Sequence, residues 1–121
     1  MGNIVHADNS EFFRKMMRTF LVELGHETEG FARGEDALDV VMSGQVDYVI
    51  TGLQLADMHG EEFIKQLFVS TQVPIIVVTA TATENEAQTR RLDDLGVKAI
   101  IRKTSSWKDD LGGHLADIGK E

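Results

Sequence analysis

The sequence predicts an α/β fold in which five strands alternate with five helices along a single domain, residues 1–121. Short apolar segments rich in β-branched residues recur along the chain, and segments with a 3.6-residue apolar period lie between them. Strands that alternate with helices in this way favour a parallel sheet with helices on both faces. The chain has one proline and no serine- or glycine-rich linker, which indicates one continuous domain.

The first part of the chain holds two strand–helix units. A short apolar strand is predicted over 3–7, and the side-chain oxygens of 8–10 suit the cap of a following helix. Apolar residues at helical spacing predict that helix over 12–24. A weaker strand over 27–32 and a helix over 34–44 complete this part.

The second part of the chain holds three further units. Its clearest strand is the run Ile-Ile-Val-Val-Thr after Pro74, because continuous β-branched runs suit strands that are buried on both faces. A Thr83-x-x-Glu86 capping box begins the fourth helix. The predicted elements are a strand over 48–51, a helix around 63–68, a strand over 75–79, a helix over 83–95, a strand over 98–102 and a helix from Ser105 or Ser106 to 118.

Five such units predict the flavodoxin-like doubly wound sheet, with strand order 2-1-3-4-5, because the chain is too short for a six-stranded sheet. Functional residues of open α/β sheets lie at the carboxyl ends of the strands. These ends fall at Ala7 and Asp8, Gly52, Thr79 and Lys103.

The composition excludes several classes of function. Twenty acidic and twelve basic residues give a net charge of −8, so we expect no nucleic acid and no membrane as partner. The chain has no cysteine, which excludes disulfides and thiolate metal sites. No apolar run reaches the length of a membrane span, and the first residues lack the layout of a signal peptide. We therefore expect a cytoplasmic protein.

Four segments together resemble the receiver domain of bacterial two-component response regulators, and the resemblance covers essentially the whole chain. Each segment is short, but their order and spacing match the family. They are the strand end Ala7-Asp8-Asn9-Ser10, the segment from Tyr48 to Met58-His59-Gly60, the segment from Pro74 to Thr79-Ala80, and the segment from Gly96 to Lys103.

The resemblance also shows where this chain departs from the family. The family's phosphoacceptor aspartate falls at Gly52, and the first of its two acidic residues falls at Ala7, which leaves Asp8, Thr79 and Lys103. The other departures are at Ala56 and Thr104, where the family has prolines, and at Ile100, where it has an aromatic switch residue.

These departures predict a pseudo-receiver that does not take up phosphate at the usual position. Phosphoryl transfer in the family needs a carboxylate nucleophile and magnesium, which prefers several oxygen ligands. Asp8 and the backbone carbonyl of Gln54 make a poor set, so we expect no cofactor and weak or absent magnesium binding. The degenerate pocket comprises Ala7, Asp8, Gly52, Gln54, Thr79 and Lys103, with Lys103 turned to Asp8 in a structural ion pair and no catalytic residue.

One alternative is phosphorylation at a different residue. Asp57 is the nearest acidic residue downstream of Gly52, although an offset of five residues places it away from Thr79 and Lys103. A solvated loop aspartate is the simpler explanation of this residue.

A second alternative is a sensor of a metal or a small ligand. His6 and Asp8 share one face of the first strand, and His59 could approach them to complete a transition-metal site. A hydrogen-bonded strand histidine and an exposed loop histidine explain the same residues. The space left at Ala7 and Gly52 could also admit a small ligand.

The resemblance implies a protein partner: a sensor kinase, an output domain or a second copy. The family communicates through its fourth helix, fifth strand and fifth helix. Since Ile100 has no ring to swing, we expect one conformation and constitutive binding. The cations favour an acidic partner patch, or else pair with Glu86, Asp93 and Asp94 on their own helix. The residues of this expected partner face are Arg90, Arg91, Lys98, Ile100, Arg102 and Trp107.

Overall fold

The computed structural model describes residues 2–80 and 86–119, and it contains all five predicted strand–helix units in the predicted order. The strands are β1 (Asn3–Ala7), β2 (Glu27–Phe31), β3 (Tyr48–Thr51), β4 (Ile75–Thr79) and β5 (Ala99–Arg102). The helices are α1 (Glu11–Glu23), α2 (Gly34–Ser43), α3 (Gly60–Ser70), α4 (Glu86–Asp94) and α5 (Trp107–Gly119).

The strands form one parallel sheet in the order β2-β1-β3-β4-β5, which confirms the flavodoxin-like prediction. All five residues of β4 are buried, as expected for a strand covered on both faces. The parallel arrangement brings the carboxyl ends of β1, β3, β4 and β5 to one edge of the sheet. That edge carries the residues that the sequence singles out.

Each face of the sheet has its own apolar core. One core lies under α2, α3 and α4 and includes Phe63 and Leu92. The other lies under α1 and α5 and includes Met17, Ile76 and Leu111. A strand that is apolar on both faces needs helices on both sides of the sheet, and the amphipathic helices supply one core on each side.

Local caps fix several helix ends. The Ser10 hydroxyl accepts a hydrogen bond from the Phe13 amide at 3.1 Å and begins α1, as predicted. Gly25 and Gly96 follow α1 and α4 with φ of 90° and 80°, a left-handed conformation that favours glycine. Residue Thr83 of the predicted capping box lies outside the described residues.

Helix α3 begins at Gly60, earlier than its apolar pattern predicts. The reason is an imidazole cap: His59 Nδ1 accepts a hydrogen bond from the Glu61 amide at 3.1 Å. Across residues 2–80 and 86–119, no helix has the length and apolar character needed to span a membrane.

Candidate functional site

A cavity of about 350 Å³ lies at the carboxyl edge of the sheet. Its lining includes five of the six residues predicted for the degenerate pocket: Asp8, Gly52, Gln54, Thr79 and Lys103. They come from the ends of β1, β3, β4 and β5, which the parallel sheet places side by side. The fold therefore brings together residues that are as far apart in sequence as Asp8 and Lys103.

Ala7 is the predicted pocket residue that does not line this cavity. Successive side chains of a strand point to opposite faces, so Ala7 and Asp8 diverge. Ala7 is fully buried in the core under α2 and α3. The expectation that Ala7 leaves room for a ligand is therefore wrong, because its methyl group is part of a filled core.

Asp8 is the centre of the polar contacts in the cavity. Its Oδ2 accepts a hydrogen bond from Lys103 Nζ at 2.8 Å, and its Oδ1 accepts one from the Ser10 amide at 2.9 Å. The Lys103 ammonium also lies 3.9 Å from the centre of the Phe13 ring. The predicted Asp8–Lys103 ion pair is confirmed, and both side chains are largely shielded from solvent.

The Asp8 carboxylate occupies the position of the side chain that Gly52 lacks. A Cβ atom placed on Gly52 would lie 2.9 Å from Asp8 Oδ2 and 3.3 Å from Asp8 Cγ. Real Cβ atoms essentially never approach a neighbour so closely. The glycine therefore allows Asp8 to extend across the acceptor position and reach Lys103.

The residues present do not fit the magnesium ion that the resemblance implies. Magnesium is held by one or two free carboxylates together with water and phosphate oxygens. Both Asp8 oxygens already accept hydrogen bonds, and Gly52 and Ala7 offer no side-chain oxygen. Among the described residues, no group of three His, Asp or Glu side chains is placed to hold a metal ion.

Asp57 has a structural role that the sequence analysis missed. Its Oδ1 accepts a hydrogen bond from the Gly34 amide at 2.7 Å, and its Oδ2 accepts one from the Glu35 amide at 3.0 Å. Arg33 lies 3.8 Å from the same carboxylate. Asp57 is an exposed loop residue, as expected, but its carboxylate also caps α2 from another part of the chain.

Electrostatics agree with this capping role. Desolvation acts to raise the pKa of Asp57, but the amide hydrogen bonds from Glu35 and Gly34 outweigh it and hold the pKa below its usual value. One sequence signal could have indicated the cap: Arg33, the residue before α2, has no side-chain oxygen to offer. The free amides of a helix that lacks a local side-chain cap are left for water or for an acceptor from elsewhere in the chain.

The histidines do not assemble a metal site. His6 is 1% exposed within the core under α1 and α5, and neither ring nitrogen has a hydrogen-bond partner among the described residues. Burial lowers the pKa of His6 to about 4. The expected hydrogen bond of a strand histidine is thus absent, and His59 is used at the start of α3.

The expected partner face is only partly formed by exposed side chains. Arg90, Lys98 and Arg102 are exposed, and Ile100 is half-buried. Trp107 is 5% exposed because its ring packs against Phe13 and Phe20, with centroid distances of 4.9 and 5.4 Å. Placing Trp107 on this face is therefore wrong: the ring lies on the apolar side of α5 with Leu111 and Leu115 and packs towards α1.

Arg91 forms an ion pair with Glu61, a residue of a different helix. Its Nη2 donates to Glu61 Oε1 at 2.9 Å, and its Nε donates to Oε2 of the same residue at 3.3 Å. The expected pairing within the helix holds for Arg90, which lies 3.9 Å from Glu86, and is wrong for Arg91. Helix α4 is thereby joined to α3.

Comparison with known proteins agrees with this architecture. A family model described as the response regulator receiver domain matches residues 4–111. The chain is 27% identical over 107 residues to the polar-differentiation response regulator DivK of Brucella anthropi, covering 86% of this chain and 85% of DivK. It superposes on a two-component response regulator from Clostridium difficile with a TM-score of 0.90 at 18% identity, covering 100% and 98% of the two chains.

Other relatives are much longer proteins. The chain is 28% identical over 108 residues to a protein-glutamate methylesterase/protein-glutamine glutaminase of Bacillus licheniformis, covering 87% of this chain and 30% of that protein. The chain thus spans about a third of the length of such relatives. The receiver-domain match extends from β1 into α5 and so contains every strand of the sheet. With that extent of match and the same five-stranded topology, the chain belongs to the response regulator receiver domain family of two-component signalling.

Proposed function

We propose that this chain is a pseudo-receiver: a non-enzymatic protein-interaction module of two-component signalling that works without phosphorylation. The observation that carries the proposal is the position of Asp8. Its carboxylate occupies the space above Gly52 and pairs with Lys103, where the family has an acceptor aspartate. Phosphoryl transfer to an acceptor at this position needs a carboxylate there, and the glycine has none.

The alternatives have weaker support. Both Asp57 oxygens accept amide hydrogen bonds at the start of α2, so phosphorylation there would have to disrupt that helix end. A metal sensor built on His6, Asp8 and His59 would need the core histidine and the α3 cap to leave their places. We therefore favour contacts with a protein partner over chemistry in the pocket.

The proposed partner face consists of exposed cations around β5. Arg90 on α4, Lys98 before β5 and Arg102 at the end of β5 flank the half-buried Ile100. These cations stand against a net charge of −8, which favours a protein partner with an acidic patch. With no phosphate to change Thr79 and no ring at position 100, binding on this face is constitutive.

The test is exposure to phosphoryl donors and their mimics. Beryllofluoride with magnesium should leave the amide resonances of Thr79 and Lys103 unchanged in two-dimensional NMR, and acetyl phosphate should add no mass. A stoichiometric gain of one phosphoryl group, removed by hydroxylamine, would overturn the proposal. Repeating the reaction with Asp57→Asn and Asp8→Asn would then identify the acceptor.

A further inference from the structure

Helix α4 is held on the sheet by few packing contacts. Of its described residues, only Gln88 and Leu92 are buried. A helix of nine residues is too short to be stable alone in water. Its position therefore depends strongly on any specific contact with a neighbouring element.

The Glu61–Arg91 ion pair is such a contact. The guanidinium engages both oxygens of the carboxylate, an arrangement that fixes direction as well as distance. The Glu61 side chain is 15% exposed and the Arg91 side chain 52%, so solvent screens this pair less than the Arg90–Glu86 pair within α4, whose side chains are 79% and 93% exposed. The hydrogen bond from Arg91 is also the largest cause that lowers the pKa of Glu61.

Glu61 is in turn tied to the loop that follows β3. Its amide donates to His59 Nδ1, and the Gly60 amide donates to the Leu53 carbonyl at 2.9 Å. Gly60 lies so close to the backbone of Gly52 and Leu53 that a Cβ atom there would be 2.7 Å from Leu53 Cα. Glu61 therefore projects from a part of the backbone that is fixed against the pocket.

We propose that the Glu61–Arg91 ion pair is a conformational latch that connects the loop after β3 to α4 and holds α4 in place. Glu61 and Arg91 are positioning residues in this device. Its importance for signalling rests on the proposed function, because α4 carries Arg90 at the edge of the partner face. The latch keeps that edge in one orientation with no phosphoryl group in the pocket.

Hydrogen exchange of the intact chain tests the latch directly. Glu61→Gln should accelerate amide exchange in α4 about tenfold, the effect of losing a charge-assisted hydrogen bond worth about 1.4 kcal/mol. Exchange in β1, β3 and α1 should stay unchanged. Glu62→Gln is the matched control, because it removes the neighbouring negative charge from the same helix turn without contacting Arg91.

The opposite side of the pair provides a second variant. Arg91→Met should accelerate exchange in α4 to the same extent as Glu61→Gln, the double variant should add little, and Arg90→Met should have no comparable effect. Equal exchange in Glu61→Gln and Glu62→Gln, or additive effects of the two latch variants, would overturn the latch. These measurements involve no partner and no phosphoryl donor, so their failure is separate from failure of the pseudo-receiver proposal.

Discussion

At the scale of single residues, the Asp8 side chain makes two contacts that shape the pocket. It neutralises Lys103, and it fills the space that Gly52 leaves free. Both side chains of the Asp8–Lys103 pair are largely shielded from solvent, and each neutralises the charge of the other. The stability of this region therefore depends on the pair being complete, since a single buried charge is costly.

Removing one partner of this pair should destabilise the chain. Asp8→Asn and Lys103→Met should each lower the free energy of unfolding by about 2–4 kcal/mol, because the remaining charge loses its partner in a shielded site. The double variant should be less destabilised than the sum of the two. Denaturant unfolding measures all three, and strict additivity would show that the pair contributes no coupling.

The close contact between Gly52 and Asp8 leads to a further prediction. Gly52→Ala should lower stability by about 1–2 kcal/mol, because the new methyl group pushes Asp8 away from Lys103. The control is Gly113→Ala in α5, where a Cβ meets nothing within 4 Å. That change should raise stability by up to about 1 kcal/mol through helix propensity. Opposite signs in thermal or denaturant unfolding are the expected result.

At the scale of secondary structure, distant caps matter as much as local ones. Ser10 caps α1 by accepting a hydrogen bond from the Phe13 amide three residues later, whereas Asp57 caps α2 from a loop 23 residues downstream of Gly34. The carboxylate also joins two elements that are not consecutive in sequence. Helix α2 thus depends on the loop after β3 being correctly folded.

Asp57→Ala should fray the start of α2. We expect a loss of about 1 kcal/mol of stability, typical of a lost cap, and faster hydrogen exchange in the first turn of α2. Asp36→Ala removes a first-turn acid with no such hydrogen bond and serves as the control. If both variants lose the same stability, the effect is due to the helix dipole alone and the cap is unimportant.

The sequence predicted the elements because periodicity and local caps depend on neighbours along the chain. The predicted strands and helices recur in the structure, and Ser10, Gly25 and Gly96 fix helix ends through nearby backbone. The pairing of Asp8 with Lys103 was predictable because strand ends meet at one edge. The contacts that were not predicted, at Asp57, Arg91 and Trp107, all join elements whose relative rotation no local pattern reveals.

At the scale of the whole molecule, the free energy of unfolding should fall as the pH is lowered, because several groups have lower pKa values in the folded chain than in the unfolded chain. His6 is buried without a hydrogen-bond partner in the described residues, and its pKa falls from 6.5 to about 4. The carboxyl groups of Asp57 and Glu61 also have pKa values below their usual ones. In each case the unfolded chain binds protons before the folded chain does, so stability rises with pH.

The acid profile of unfolding should show the contribution of His6. Stability should be constant with respect to His6 above pH 6.5 and fall by up to about 3 kcal/mol as the pH drops from 6.5 to about 4. His6→Leu should remove most of this slope, with the remainder coming from His26, whose pKa desolvation also lowers, while His114→Gln, at an exposed position, should leave the slope unchanged. A slope in His6→Leu as steep as that of the wild type would show that another group controls this pH range.

The contact between Gly52 and Asp8 also bears on how this lineage can change. A mutation that returns an aspartate to position 52 would meet the Asp8 carboxylate, as any side chain there would. It would restore a nucleophile without a magnesium site and weaken the Asp8–Lys103 pair at the same time. If the chain is the pseudo-receiver proposed above, an aspartate at position 52 would therefore cost stability without giving a working phosphorylation site. Further substitutions around Asp8 would have to accompany it.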